Sequence, residues 1–256
     1  MISPLAYVDK EARIGANVTI HPFAYIDKNV EIGDNCTIMP YASILSGTRM
    51  GTDNIIYQGA IIGATPQDFK FKGEDTLLKI GNHNTIREKV ILNRGTNTTD
   101  CTIIGDGNFL LEGVHLAHDT HLGSHCVLGN GAKTAGNCII DDKAILGSEV
   151  IVKHGCRIGS WALLRDGCRA NKDVPPYIVA AHNPISYYGI NALILAKEGH
   201  LTENVIDNIA KCYRQIYQCG TSLENALRRI KDIIPLSPEI TYLVDFIEQS
   251  KKLSLI

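Results

Sequence analysis

The chain has 256 residues, of which 45% are hydrophobic, and its formal net charge at pH 7 is −2. A chain of this size and composition can bury an ample core, and its small net charge does not suggest a nucleic-acid partner. No stretch approaches the length of a membrane span, and the amino terminus carries no basic segment followed by an apolar run. We therefore expect a cytoplasmic protein.

An aliphatic residue recurs every six positions from the second residue onward. The frame covers residues 2–56, resumes at residue 80 and continues to residue 170, and within it only Thr98, Thr134 and Ala170 break the aliphatic rule. The fifth position of each hexad is small. A hexad fits a short strand and a turn, so three consecutive hexads predict one triangular coil. Residues that are three hexads apart should then stack in columns with a spacing of about 4.8 Å.

This pattern resembles that of the left-handed parallel β-helix proteins. We expect an all-β solenoid over residues 1–187, with a loop ejected from it at about residues 64–79, where the hexads pause. After residue 177 the hexads stop, and helix start signals at Thr202, within residues 221–224 and at Ser237-Pro238 predict a small helical domain over residues 188–256.

The cysteines are expected to fill the core rather than to form disulfides or a zinc site. Free cysteine is among the most buried residue types, and most of the eight cysteines share the small fifth position of a hexad. These are Cys36, Cys126, Cys138, Cys156 and Cys168.

A histidine-rich segment over residues 112–121 is the densest polar cluster. The frame places His118 on a turn, with Gly136 one coil further along and His154 one coil beyond that. An imidazole beside an approachable backbone N–H is the arrangement that acyl transfer needs, because the ring takes a proton from a hydroxyl and the N–H stabilises the oxyanion. Asp119 could orient the ring and fix its tautomer.

Other interpretations of the cluster stay open. The histidines could simply be solvated surface residues. Three of them, His115, His118 and His121, could instead bind zinc, as in carbonic anhydrases of the same fold, but a ligand set that converges across an interface cannot be recognised in a sequence. A purely structural β-helix is a further alternative.

Ordered loop motifs narrow the resemblance over nearly the whole chain. They are Ile62-Gly63 with Gln67-Asp68, Lys70 and Gly73-Glu74; Ile86-Arg87-Glu88; Asn93-Arg94-Gly95-Thr96; His115 with Ala117-His118-Asp119; Asp173-Val174-Pro175-Pro176-Tyr177; and Tyr188-Gly189 with Asn191. Together they are similar to those of the UDP-N-acetylglucosamine O-acyltransferase family of lipid A biosynthesis.

The resemblance implies transfer of an R-3-hydroxyacyl group from acyl-carrier protein to the 3-hydroxyl of UDP-N-acetylglucosamine by a homotrimer, with no cofactor and no metal. It implies that His118 is the general base, that Asp119 holds it, and that the amide of Gly136 binds the oxyanion. Substrate contacts are implied for Gln67, Asp68, Lys70, His115, His154, Asn191 and Lys197, and the acyl-length region for Arg165 and Asp166.

Departures from the family pattern concern the outer contacts. They are Asn137 in place of a histidine, Lys153-His154 in place of a His-Gln pair, and Lys197-Glu198 in place of a basic pair. Acyl-chain length is therefore not predicted. Since the carrier protein is acidic, a basic docking rim is expected from Lys133, Lys153, Arg157, Arg165, Arg169 and Lys172, with Arg228, Arg229 and Lys231. An acyltransferase of the same superfamily that uses acetyl-coenzyme A, or that acylates nitrogen, is the main rival.

Overall fold

Most hexads form a two-residue strand followed by a turn, and the strands of successive coils stack into three sheets. The computed structural model describes residues 1–250, so the carboxyl-terminal end of the predicted helical domain, residues 251–256, lies outside the described residues. The aliphatic residue that opens a hexad points inward, as at Ile26, Ile62 and Leu116, which are fully buried. The residue before it points outward, whereas the residue at the fifth position of the hexad also points inward, as at Ala24 and Val114, which are buried.

The three sheets are parallel, except for one antiparallel pair at the carboxyl end of the third. The first sheet contains β1 (Tyr7–Val8), β4 (Tyr25–Ile26), β7 (Ser43–Ile44), β10 (Ile61–Ala64), β13 (Ile91–Asn93), β16 (His115–Leu116), β19 (Lys133–Thr134), β22 (Ile151–Val152) and β25 (Arg169–Ala170). The second contains β2 (Arg13–Ile14), β5 (Glu31–Ile32), β8 (Thr48–Met50), β11 (Leu78–Ile80), β14 (Thr102–Ile104), β17 (His121–Leu122), β20 (Ile139–Ile140) and β23 (Arg157–Ile158). The third contains β3 (Thr19–Ile20), β6 (Thr37–Ile38), β9 (Ile55–Ile56), β12 (Thr85–Ile86), β15 (Phe109–Leu110), β18 (Val127–Leu128), β21 (Ile145–Leu146), β24 (Leu163–Leu164), β26 (Ile178–Ala181) and β27 (Ser186–Ile190).

Two loops leave the prism, although only the first was predicted. Most coils repeat after three hexads, but Ile61 pairs with Ile91, and Ile91 pairs with His115. The first separation corresponds to five hexads and the second to four, so both insertions are whole hexads and the frame continues through them. The first loop consists of residues 65–77, between β10 and β11, where the hexads pause. The second, residues 94–101, contains Thr98, and its treatment as a broken hexad was wrong.

The side chains at the fifth position of the hexad are not all small. In three coils this position holds asparagine, so the expectation of a small residue was wrong there. Asn54, Asn84 and Asn108 are buried there and form a ladder. Asn84 donates from its backbone and side-chain nitrogens to Oδ1 of Asn54, at 2.9 and 3.0 Å, and the backbone of Asn108 donates to Oδ1 of Asn84 at 2.9 Å. The ladder places polar side chains inside the prism with hydrogen-bond partners from neighbouring coils. The five cysteines of the fifth position are buried, as predicted.

Within residues 1–250, four helices follow the last strand: α1 (Ala192–Lys197), α2 (Glu203–Tyr217), α3 (Leu223–Ile233) and α4 (Pro238–Gln249). The hydroxyl of Tyr242 on α4 donates to Asp141 at 2.6 Å and accepts from the backbone of Ser160 at 3.0 Å, which ties α4 to the prism. A division of the chain at residue 187 stays a prediction, since β27 crosses that position. Among residues 1–250, none of the helices is both long and apolar enough to cross a bilayer.

Candidate active site

His118 and Asp119 lie on the turn between β16 and β17, at the corner where the first sheet meets the second. Nδ1 of His118 is 2.8 Å from Oδ2 of Asp119. The two residues are only 8% and 6% exposed, so they are more enclosed than the exposed turn that the sequence suggested. Asp119 has a φ of 57°, a conformation that Asp tolerates better than most residues.

The Asp119 carboxylate is held from its other side by Thr96 of the second loop. The backbone N–H of Thr96 donates to Oδ1 at 2.9 Å, and its hydroxyl donates to Oδ2 at 2.6 Å. Burial raises the pKa of Asp119, but the hydrogen bonds from Thr96 and His118 outweigh burial and leave the pKa below its usual value. Asp119 is therefore ionised at neutral pH and can accept a hydrogen bond from a protonated Nδ1.

Gly136 lies against the His118 ring, as the column arithmetic predicted. A β-carbon added to Gly136 would be 2.6 Å from Nε2 of the ring, so only glycine allows this approach. The neighbouring amide of Asn137 donates to the carbonyl of His118 at 3.0 Å. Among residues 1–250 the Gly136 N–H donates no hydrogen bond, and the residue is buried against the His118 ring.

The first loop brings Asp68 to the free side of the ring, where Oδ2 lies 3.7 Å from Nε2 of His118. Arg94 holds both ends of this loop, because its guanidinium donates to Thr76 Oγ1 at 3.1 Å and to the carbonyl of Gly63 at 3.3 Å. Asn93 adds a hydrogen bond from Nδ2 to the carbonyl of Thr65 at 2.7 Å. The first loop is thus anchored beside the His118–Asp119 pair, which we call the dyad.

His115, on the outer face of β16, joins the same network. Its Nε2 is 2.7 Å from Oδ1 of Asn93. Burial is the main cause that lowers the pKa of His115, and the charge of Lys133 lowers it further. The ring is accordingly neutral at pH 7 and donates its Nε2 proton to Asn93.

Other predicted contacts are spread over the molecule. Gln67 and Lys70 are exposed on the first loop, and His154 is exposed one coil beyond Gly136. Asn191 is buried at the start of α1, where its Nδ2 donates to the carbonyl of Trp161 at 3.0 Å, and Lys197 is exposed in the last turn of α1. A single chain does not bring these α1 residues to the corner that carries His118.

The acyl-length pair lies on a different corner, between β24 and β25. Arg165 stacks on the ring of Tyr188 with 4.1 Å between the guanidinium carbon and the ring centre. Asp166 accepts from the backbone of Ser148 at 2.8 Å. Among the residues of the predicted basic rim, Arg157 is half-buried, and its Nη2 lies 2.8 Å from Oδ2 of Asp141. This ion pair leaves Arg157 less available to an acidic partner than an unpaired surface charge would be.

The three histidines of the zinc alternative point to different partners. His115 contacts Asn93, His118 contacts Asp119, and Nε2 of His121 is 3.3 Å from Oδ1 of Asp100. Within the described chain, residues 1–250, no three side chains of His, Cys, Asp or Glu come together as a metal site.

Sequence reasoning missed the roles of Asn93, Arg94 and Thr96. All three lie in the Asn93-Arg94-Gly95-Thr96 motif, but the hexad frame runs through this segment and predicts a regular coil, which gives these side chains no role. The available signal was Thr98, a polar residue where the hexad frame predicts an inward aliphatic one; in the structure it is exposed on the second loop.

Comparison with known proteins identifies the family. Residues 173–256 match the second domain of the UDP N-acetylglucosamine O-acyltransferases, and residues 11–40, 29–64 and 101–136 match the bacterial transferase hexapeptide repeat. The acyl-[acyl-carrier-protein]--UDP-N-acetylglucosamine O-acyltransferase of Thermodesulfovibrio yellowstonii is 38% identical, over 98% of this chain and 95% of the relative. The chain belongs to the UDP-N-acetylglucosamine O-acyltransferase family.

Further members of the family agree over the full length. The enzyme of the same name from Halorhodospira halophila is 44% identical, over 98% of this chain and 97% of its own. The crystal structure of a UDP-N-acetylglucosamine acyltransferase from Bacteroides fragilis is 50% identical, covers 100% of both chains and superposes with a TM-score of 0.96. The family fold, a left-handed parallel β-helix with carboxyl-terminal helices, confirms the predicted fold class.

Proposed function

We propose that this protein transfers an R-3-hydroxyacyl group from the thioester of acyl-carrier protein to the 3-hydroxyl of UDP-N-acetylglucosamine, the first step of lipid A biosynthesis. Family membership over nearly the whole chain supports the overall reaction. The observation that carries the mechanism is the pairing of His118 Nδ1 with an ionised, buried Asp119 at 2.8 Å.

That pairing selects the tautomer with its proton on Nδ1 and leaves the lone pair of Nε2 for a substrate hydroxyl. As the hydroxyl oxygen attacks the thioester carbonyl, its proton passes to Nε2, and a carbon–oxygen bond forms. The carbonyl oxygen becomes an oxyanion, which the free N–H of Gly136 stabilises. When the carbon–sulfur bond breaks, the imidazolium returns the proton to the leaving thiolate, so that the ring ends the cycle neutral.

Substrate contacts follow from the same arrangement. Asp68 Oδ2 lies 3.7 Å from Nε2 of His118, so we propose that a sugar hydroxyl binds between these two atoms. Gln67, Lys70 and His115 are proposed as further substrate contacts. Asn191 precedes α1 and contacts the carbonyl of Trp161, and Lys197 lies in the last turn of α1. We propose that they contact the nucleotide across the interface of a homotrimer in the cytoplasm. His154, Arg165 and Asp166 are proposed to line the path of the donor's acyl chain, with acyl-carrier protein docked on the basic rim.

The test is turnover of UDP-N-acetylglucosamine with R-3-hydroxyacyl-carrier protein. His118→Ala should lower kcat by about 10²- to 10⁴-fold, the usual contribution of a general base. His21→Ala, near the amino-terminal end of the prism, is the matched control and should remain active. Wild-type activity in His118→Ala would refute the proposed base.

Donor specificity separates this proposal from its superfamily rival. Purified protein is offered acetyl-coenzyme A in parallel with the hydroxyacyl-carrier protein, and ester and amide products are distinguished by their stability to mild base. Transfer from acetyl-coenzyme A alone, or an amide product, would overturn the assignment.

A further inference from the structure

We infer that Thr96, on the second loop, is a positioning residue for catalysis that sets the orientation and the ionisation of Asp119. This inference rests on the proposed function, because Thr96 acts on the base through Asp119. Thr96 itself touches neither the His118 ring nor the proposed oxyanion amide by any hydrogen bond between described residues.

The first line of support is the geometry of the carboxylate. Asp119 Oδ2 is shared between the Thr96 hydroxyl, at 2.6 Å, and Nδ1 of His118, at 2.8 Å, while Oδ1 accepts from the Thr96 backbone at 2.9 Å. Two donors from one residue fix the carboxylate plane, and a fixed plane aims Oδ2 at Nδ1. The backbone of Asp119 is also held, since its N–H donates to Thr102 Oγ1 at 2.9 Å.

The second line is the close approach of the loop. Gly95 is buried, and a β-carbon on it would lie 2.9 Å from Asp119 Oδ1 and 3.0 Å from the α-carbon of Cys101. A side chain at this position would push the loop away from the carboxylate. The absence of a side chain at Gly95 therefore allows Thr96 to contact Asp119, and the second loop serves to hold this carboxylate.

The third line is the balance of burial and hydrogen bonding at Asp119. Titratable groups that face it are His118 on its own turn and Cys101 at the end of the second loop, while Asp68 of the first loop lies beyond the His118 ring. With the Thr96 hydroxyl removed, burial should dominate and raise the pKa of Asp119. A larger fraction of the enzyme would then carry a neutral Asp119 at mildly acidic pH, which no longer favours the Nδ1–H tautomer of His118.

The experiment compares Thr96→Val, Thr96→Ser and Thr98→Val in the full-length protein. Val keeps the shape of Thr and removes the hydroxyl, Ser restores it, and Thr98 is an exposed control on the same loop. For Thr96→Val we expect kcat to fall about tenfold to a hundredfold, the loss typical of a hydrogen bond to a charged group. KM for UDP-N-acetylglucosamine should change little. The acid limb of the kcat–pH profile should shift to higher pH. Thr96→Ser should recover most of kcat, and Thr98→Val should match wild type.

An NMR readout makes the test independent of turnover. The Nδ1 proton of His118, assigned by its loss in His118→Ala, should shift or broaden in Thr96→Val and return in Thr96→Ser. If His118→Ala is inactive while Thr96→Val keeps the wild-type kcat, pH profile and Nδ1 resonance, the role of Thr96 is refuted and the proposed function stands. If His118→Ala keeps wild-type activity, the proposed base is refuted and the role of Thr96 with it, whereas no transfer by the wild-type protein would refute the proposed reaction.

Discussion

The His118 ring lies against the α-carbon of Gly136 so closely that a β-carbon on Gly136 would be 2.6 Å from Nε2. The two residues are one coil apart in the same corner column, and the contact joins the proposed base to the proposed oxyanion donor. Rigid stacking of the coils sets this distance, because each coil is hydrogen-bonded to the next.

Gly136→Ala should lower activity because it displaces the His118 imidazole, and not because it strains the backbone. Gly136 is not among the residues with positive φ, so alanine can adopt its conformation, and the added methyl group must displace His118. A displacement of about 1 Å at a reacting group can cost about a hundredfold in rate, and we expect a loss of that size in kcat. The double variant with His118→Ala should be no slower than His118→Ala alone. Additive losses would contradict this explanation.

Stability should fall in mildly acidic solution because of His115. Its pKa is lowered in the folded state, so below about pH 6.5 the unfolded chain binds a proton that the folded chain resists. The free energy of unfolding should therefore decrease as the pH falls through this value. His115→Gln, which keeps a donor for Asn93, should show a smaller slope between pH 7.5 and 5.5 in urea titrations. An unchanged slope would show that other groups dominate in this window.

The asparagine ladder should be a measurable source of stability. Asn84→Ala leaves the buried backbone N–H of Asn108 without its acceptor, and such a group costs about 1–3 kcal/mol. We expect a loss of about 2 kcal/mol in the free energy of unfolding, measured by urea denaturation. The exposed Asn130→Ala is the control and should stay within about 0.5 kcal/mol of wild type. Equal effects at both sites would contradict a role for the ladder.

Thiol reactivity should separate Cys219 from the other cysteines. Seven of the eight cysteines are buried and Cys219 is exposed. Burial raises the pKa of Cys126 and of Cys212 to about 12, so at pH 8 only about one thiol in ten thousand is ionised at each. A disulfide reagent at pH 8 should modify one thiol quickly and the remainder only after denaturant is added. Cys219→Ser should abolish the fast phase, and a second fast thiol would contradict the burial of the other seven cysteines.

Much of the fold could be predicted because its repeat is local. An inward aliphatic residue such as Ile62 must recur at every strand of the prism, and the six-residue spacing of these residues in the sequence predicts the inward positions. The same regularity hid the second loop, since its insertion is a whole hexad and does not shift the frame at Ile104. The column of His118 and Gly136 was predictable for the same reason, since they are separated by one regular coil that contains no insertion.

The sequence by itself determined the winding of the chain, the inward positions and the column that places Gly136 beside His118. Only the tertiary structure decided how the two irregular loops fold back, and with them the contacts of Asp68, Arg94 and Thr96 around the dyad. The physical reason is that the repeat fixes neighbours through backbone hydrogen bonds between coils, whereas a loop's position depends on side chains that meet only after the chain has folded. For the same reason, the burial of Asp119 and the lowering of its pKa could not be inferred from the motif that contains it.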